Sequence, residues 1–240
     1  MSLPIALIAG VTGYLIGSIS FARLLVSVLA PGVDVSKIEH TVEGSSEVFE
    51  SGSISATAVR FQLGPRYGCL VAILDILKTL VPTLLFKLWK PDAPYYLVTA
   101  TLSIIGHNYP LYYGLRGGRG LSTVYGGFLV LDWVGVVVTN TVGMLVAGLL
   151  GQVLLMRWAG LLLMIPWIWF RTRDAAKLGY VLLANAMFWL AMWPELRQYL
   201  RLRREGELPD EQAVAEFMGM GSVYRAVHRF SVANLFSKQE

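Results

Sequence analysis

The sequence is poor in charge and in cysteine. Only 15% of its 240 residues are Asp, Glu, Lys or Arg, against about 25% in soluble domains. With 55% hydrophobic residues and a mean hydropathy of +0.57, that deficit excludes an ordinary soluble globule. Cys69 is the single cysteine, which excludes an intrachain disulfide and argues against a cysteine metal centre. The first apolar run, Leu3 to Ala30, has no basic segment before it and no small-residue cleavage site. A signal peptide is therefore not expected, and the run reads as a retained helix. No inverted repeat is visible and few charges fall inside the apolar runs, which speaks against a transporter or channel.

What is present is a series of long apolar runs. A hydrocarbon core takes about 20 apolar residues per helix. Leu3 to Ala30, Gly68 to Leu88, Tyr95 to Tyr113 and Leu178 to Trp193 each read as a span. Gly120 to Phe170 is long enough for two spans and a shorter piece, or for three tight ones. The expected fold is all-α, a polytopic membrane helix bundle of about seven transmembrane helices, with six as the alternative. Residues 1–200 form that unit. Residues 201–240 read as a polar cytoplasmic tail, with one amphipathic helix possible between Asp210 and Phe230. The tail arginines Arg197, Arg201, Arg203 and Arg204 set the orientation. They place the tail, the Arg116/Arg119 loop and the Pro31–Pro65 loop on one face, taken as cytoplasmic, with the N-terminus outside.

Three segments carry chemistry. In "GHNYPLYYGLRGGRGLST", Gly106 to Thr123, four glycines from Gly114 to Gly120 frame Arg116 and Arg119. Glycine lets the backbone approach a ligand, N–H groups near a helix start favour anions, and guanidinium forks suit phosphate. The stretch is a candidate phosphate cradle; the plainer alternative is an interfacial turn whose arginines meet lipid headgroups. It is not a P-loop, because no Gly-Lys-Ser/Thr follows. His107, at the edge of a span, is either a hydrogen-bonding structural residue or part of the site. In "ESGSISATAVRFQLG", Glu50 to Gly64, the hydroxyls and Arg60 either complete the anion site or cap the next helix. Asp75 and Lys78, spaced i,i+3 inside a span, are expected to pair within the bundle.

These segments, in this order, resemble the bacterial acyl-phosphate:glycerol-3-phosphate acyltransferases, an integral-membrane family. "GYLIGSISF" resembles that family's first helix and "LDILK" its second. "SGSISATAVRFQLGPRYG" is similar to S-G-N-x-G-A-T-N-x-x-R-x-x-G. "GHNYPLYYGLRGGRGLST" is similar to G-H-x-[FY]-P-x-[FY]-x-x-[FK]-K-G-G-K-G-V-A-T. The resemblance implies a seven-helix bundle in the bacterial inner membrane with its active site facing the cytoplasm. It implies transfer of a fatty acyl group from acyl phosphate to the 1-hydroxyl of glycerol 3-phosphate, giving lysophosphatidate for phospholipid synthesis. Membrane lipids are the other partners; no cofactor, metal or nucleic acid is implied. Carried over by position, Ser51, His107 and Arg119 are the catalytic candidates. Gly52, Thr57, Arg60, Arg116, Gly117, Gly118, Gly120 and Thr123 are the substrate-binding candidates.

The chain departs from the family pattern at named positions. The motif asparagine is Ala58 and the motif arginine is Phe61, with Arg60 one place early. Both glycine-loop lysines are arginines. A third motif, H-x-E-N, survives only as Glu195, flanked by Trp193 and Leu196. The alternative reading is a paralogue that keeps the fold and an anion or lipid pocket without the reaction.

Overall fold

The computed structural model describes residues 1–33, 38–41, 48–51, 54–205, 211–217 and 220–229, the two strands by their backbone alone. The helices in chain order are α1 Leu3–Gly17, α2 Phe21–Leu29, α3 Ala56–Leu63, α4 Pro65–Trp89, α5 Tyr95–Asn108, α6 Leu121–Leu149, α7 Val153–Thr172, α8 Ala175–Glu205, α9 Glu211–Phe217 and α10 Gly221–His228. An antiparallel hairpin, β1 Ile38–Thr41 and β2 Val48–Ser51, interrupts the helices, with Ile38 opposite Ser51. Five helical stretches are long and apolar enough to cross a membrane: Leu3–Leu29, Pro65–Trp89, Leu121–Leu149, Val153–Thr172 and Ala175–Leu202. The fold is thus an all-helical membrane bundle carrying one small hairpin.

The Gly120–Phe170 stretch forms two helices, α6 and α7. Yet α6 is not one rod. Asp132 has φ −159° and ψ 93°, outside the helical region. The Tyr125 hydroxyl lies 2.6 Å from Asn140 Oδ1. In a continuous helix these residues would stand about 22 Å apart at 1.5 Å per residue. The chain therefore folds back at Asp132 into two antiparallel halves, 121–131 and 133–149. Asp132 starts the second half as its cap, its Oδ1 accepting from Gly135 N at 3.0 Å. Its Oδ2 accepts from Trp167 Nε1 at 3.0 Å and from Arg171 Nε at 2.6 Å, which ties the turn to the end of α7.

Close helix contacts depend on glycine, as expected where apolar lipid gives no drive to pack side chains. A Cβ on Gly13 would sit 2.3 Å from Thr99 O, and one on Gly17 2.3 Å from Ser103 O. These contacts seat α1 backbone-to-backbone on α5 and so fix the height of His107 at the end of α5. Between α1 and α2 the helix breaks: Arg23 N bonds the Ser20 hydroxyl at 3.4 Å. The freed Ile19 carbonyl then accepts from Lys78 Nζ at 2.7 Å. The break at Asp132 is served likewise, with Lys87 Nζ donating to Val130 O. Each lysine of α4 thus satisfies a carbonyl that a helix break exposed within an apolar bundle.

Two short helices, α9 Glu211–Phe217 and α10 Gly221–His228, are seated on the ends of α6 and α7. Glu211 Oε2 accepts from Val153 N at 3.0 Å, capping α7 with a negative charge where its dipole favours one.

Candidate active site

The site grows from a buried ion pair. Asp75 and Lys78 are 4% and 6% exposed, and Lys78 Nζ lies 2.8 Å from Asp75 Oδ1. The expected i,i+3 pairing inside the bundle is present. Lys78 Nζ also lies 2.9 Å from His107 Nδ1. An ammonium has three donors and no acceptor. Ile19 O and His107 Nδ1 take two of them, and the Asp75 carboxylate pairs with the charge. His107 Nδ1 is therefore an acceptor, and the ring proton sits on Nε2. His107 enters the site as a neutral N–H donor held in orientation by Lys78, not as a free base.

The glycine loop lies directly on this imidazole. A Cβ on Gly118 would stand 2.4 Å from His107 Nε2 and 2.7 Å from Ile54 O. One on Gly117 would stand 2.1 Å from His107 O. Gly118 N donates to His107 O at 3.2 Å, so this N–H serves the loop and does not face a ligand. Gly120, at φ +80°, ends the loop with Asn108 Oδ1 2.6 Å from where its Cβ would be. It also begins α6, whose first-turn N–H groups lack helical partners. The anion-favouring backbone is thus the start of α6 rather than the Gly118 amide.

Around that helix start the structure gathers residues from distant segments. Arg119 Nη2 pairs with Glu195 Oε1, bringing α8 to the loop. Arg157 Nη2 donates to Thr57 Oγ1 at 3.4 Å, bringing α7 to α3. The charges of Arg119 and Arg60 both act on Arg157. Arg60 itself lies 5.5 Å over the Phe61 ring, and its Cβ and backbone form the wall against Gly68. Arg116 is exposed, and its carbonyl accepts from Arg23 Nη2 at 3.0 Å. Thr123 is fully buried, its hydroxyl without a partner among the described residues, so it belongs to the wall behind the first turn of α6. Of the remaining candidates, Gly52 lies outside the described residues, and Ser51 is described only as backbone at the end of β2. Among the described residues no group of three His, Cys, Asp or Glu is placed to hold a metal.

The sequence alone did not single out Arg157, Arg23 or Asn108. Arg157 had a signal, a lone cation inside an apolar run, but nothing in its neighbourhood indicates that α7 approaches α3. Asn108 Nδ2 reaches Met187 O of α8 at 3.3 Å, a contact between residues 79 apart.

Comparison with known proteins agrees with this arrangement. A family model described as glycerol-3-phosphate acyltransferase matches residues 7–204. The chain is 34% identical over 122 residues to a glycerol-3-phosphate acyltransferase of Aquifex aeolicus, covering 50% of this chain and 57% of that one. It is 39% identical over 120 residues to one of Myxococcus xanthus, covering 50% and 56%. The chain therefore spans a little over half the length of these curated relatives. Its fold is similar to the crystal structure of PlsY (YgiH), an integral membrane glycerol 3-phosphate acyltransferase, in the glycerol 3-phosphate form. That match has a TM-score of 0.67 at 24% identity, covering 85% of this chain and 94% of that one.

Proposed function

This chain belongs to the glycerol-3-phosphate acyltransferase family, and on that premise we propose that it is a membrane enzyme acylating glycerol 3-phosphate. The donor is acyl phosphate, the product lysophosphatidate, and the pathway phospholipid synthesis. The 1-hydroxyl oxygen attacks the acyl carbon, the bond from that carbon to the phosphate oxygen breaks, and phosphate leaves with the electron pair and takes up the proton. Such a reaction needs phosphate binding and stabilisation of charge on the acyl oxygen more than a strong base. That requirement suits a histidine confined to donating through Nε2.

The observation that carries the reading is the glycine loop. It leaves no space for a Cβ at Gly117 and Gly118, brings the backbone onto His107, and delivers Arg119 beside the start of α6. Arg119 and Arg116 supply charge for the phosphate of glycerol 3-phosphate. Gly117, Gly118 and Gly120 shape its seat, and Thr57 and Arg60 border it from α3. Ser51 and Gly52, which precede α3 in the chain, are the first motif's further candidates. The fold-back at Asp132 supports seven passes: α1 with α2, α4, α5, both halves of α6, α7 and α8. The glycine-loop end faces the cytoplasm of a bacterial inner membrane, where water-soluble glycerol 3-phosphate is available.

The test is lysophosphatidate formation from palmitoyl phosphate and glycerol 3-phosphate by the purified protein in detergent. Absence of turnover with retained glycerol 3-phosphate binding would instead favour a non-catalytic paralogue. Arg119→Ala is expected to raise KM for glycerol 3-phosphate by about tenfold or more, the worth of a charge-assisted hydrogen bond. Glu195, 11% exposed, then loses this partner, so the melting temperature should fall as well, and the rise in KM is read on the folded fraction.

A further inference from the structure

Arg157 is a site cation that meets no carboxylate among the described residues. It sits one turn inside α7 and is half-buried. A guanidinium carries five N–H donors. Among the described residues its one hydrogen-bond partner is the neutral hydroxyl of Thr57, at 3.4 Å, and no carboxylate pairs with it. Arg119 and Arg60, of the same sign, lie close enough for their charges to act on it. A half-buried cation beside two others is a place where an anion relieves repulsion. Three other cations of the apolar helices have firmer partners: Lys78 meets Asp75, Arg171 meets Asp132, and Lys87 donates to the Val130 carbonyl.

We infer that Arg157 and Thr57 form a phosphate-binding arm of the site, holding a substrate phosphate dianion between α7, α3 and Arg119. The ligand chemistry is specific. A planar fork beside a hydroxyl suits tetrahedral oxygens, and a dianion offsets the repulsion among clustered guanidiniums. Its identity as a substrate rests on the acyltransferase reading, in which two phosphates must be held: that of glycerol 3-phosphate and that leaving from the acyl donor.

The experiment separates the two claims. The full-length protein, Arg157→Gln and Arg157→Lys are purified in detergent, and thermal stabilisation is titrated with inorganic phosphate, with no acyl donor present. The phosphate midpoint should rise by about tenfold or more in Arg157→Gln, and by less in Arg157→Lys, which keeps the charge but loses the fork. Equal midpoints in all three proteins overturn the inference. If Arg157→Gln does not fold, Arg157→Lys decides by the same criterion. Kinetics then name the source. A rise in KM for palmitoyl phosphate alone assigns the leaving phosphate; a rise for glycerol 3-phosphate alone assigns the acceptor. Both values within about twofold of the unaltered protein overturn a substrate role. A wild-type protein that lacks turnover, yet binds phosphate through Arg157, keeps the anion arm and refutes the acyltransferase reading.

Discussion

The two ends of the bundle use the same residue types to opposite effect. At the end remote from the glycine loop, Arg171 meets the Asp132 carboxylate and lies 5.8 Å over Trp167, Lys177 meets Asp174, and Arg173 lies over Trp169 and Phe170. These cations are neutralised or stacked, and the carboxylates cap helix starts. At the glycine-loop end, Arg157 has a hydroxyl and two like charges, and Arg119 has Glu195. Like-charge crowding is costly, and a structure keeps it where an anion will relieve it. The contrast singles out Arg157, since Arg119 has Glu195 and Arg60 the Phe61 ring, as the cations at the other end have theirs. Counting cations per loop does not tell the two ends apart.

The sharpest way to break this division is Lys78→Met. It leaves Asp75 buried and charged, and removes the donors to Ile19 O and His107. Stability should fall by about 3–5 kcal/mol, the cost of breaking a buried pair, read as thermal unfolding in detergent. The double variant Asp75→Leu/Lys78→Met should regain much of that stability without regaining activity, because His107 Nδ1 then has no donor to fix its tautomer. Full activity in the double variant would refute the donor role of His107.

Gly118→Ala probes the same end with less effect on folding. Its Cβ must displace His107 or the Ile54 carbonyl. Shifts of about 1 Å in a reacting geometry cost on the order of 100-fold in rate. Lysophosphatidate formation should therefore fall by about that factor, and activity within about threefold of wild type would show that the loop tolerates the shift.

At the opposite end the expected pattern reverses. Asp132→Ala removes a helix cap and the partner of Arg171, and should cost about 1–2 kcal/mol. The kcat of the folded fraction should remain unchanged. A selective loss of kcat would mean that the fold-back at Asp132 positions the site after all.

The smallest effect is expected at Asp174. The Lys177 backbone N–H, then the Lys177 ammonium and the Ala176 N–H, hold its carboxyl below the ordinary carboxylate range. A group depressed on folding stabilises above its unfolded pKa and loses that contribution as pH falls through the folded value. Asp174→Asn should therefore flatten the pH dependence of melting below about pH 4. Near neutral pH it should cost no more than about 1 kcal/mol. An unchanged acid limb would show that Asp174 contributes nothing there.

The sequence by itself determined the class of the molecule. Runs of apolar residues leave only helices, because backbone groups in hydrocarbon must be satisfied within the segment. It also determined the Asp75–Lys78 pair, since i,i+3 spacing on a helix is local geometry. The glycine loop beside His107 was legible for the same reason, as one continuous stretch. Tertiary structure alone decided the rest. Asp132 shows in the sequence as a charge that breaks an apolar run, but not as a reversal: one extended residue with a capping carboxylate turns the chain back. Arg157 reads as an interruption of a span until α7 lies against Thr57. Glu195 reads as the remnant of a motif until α8 carries it to Arg119. Lys78 reads as half of an ion pair until the break after α1 and the end of α5 give its other two donors their acceptors. Local spacing is written in the chain, but a charge acquires its role from partners tens of residues away, and only packing selects them.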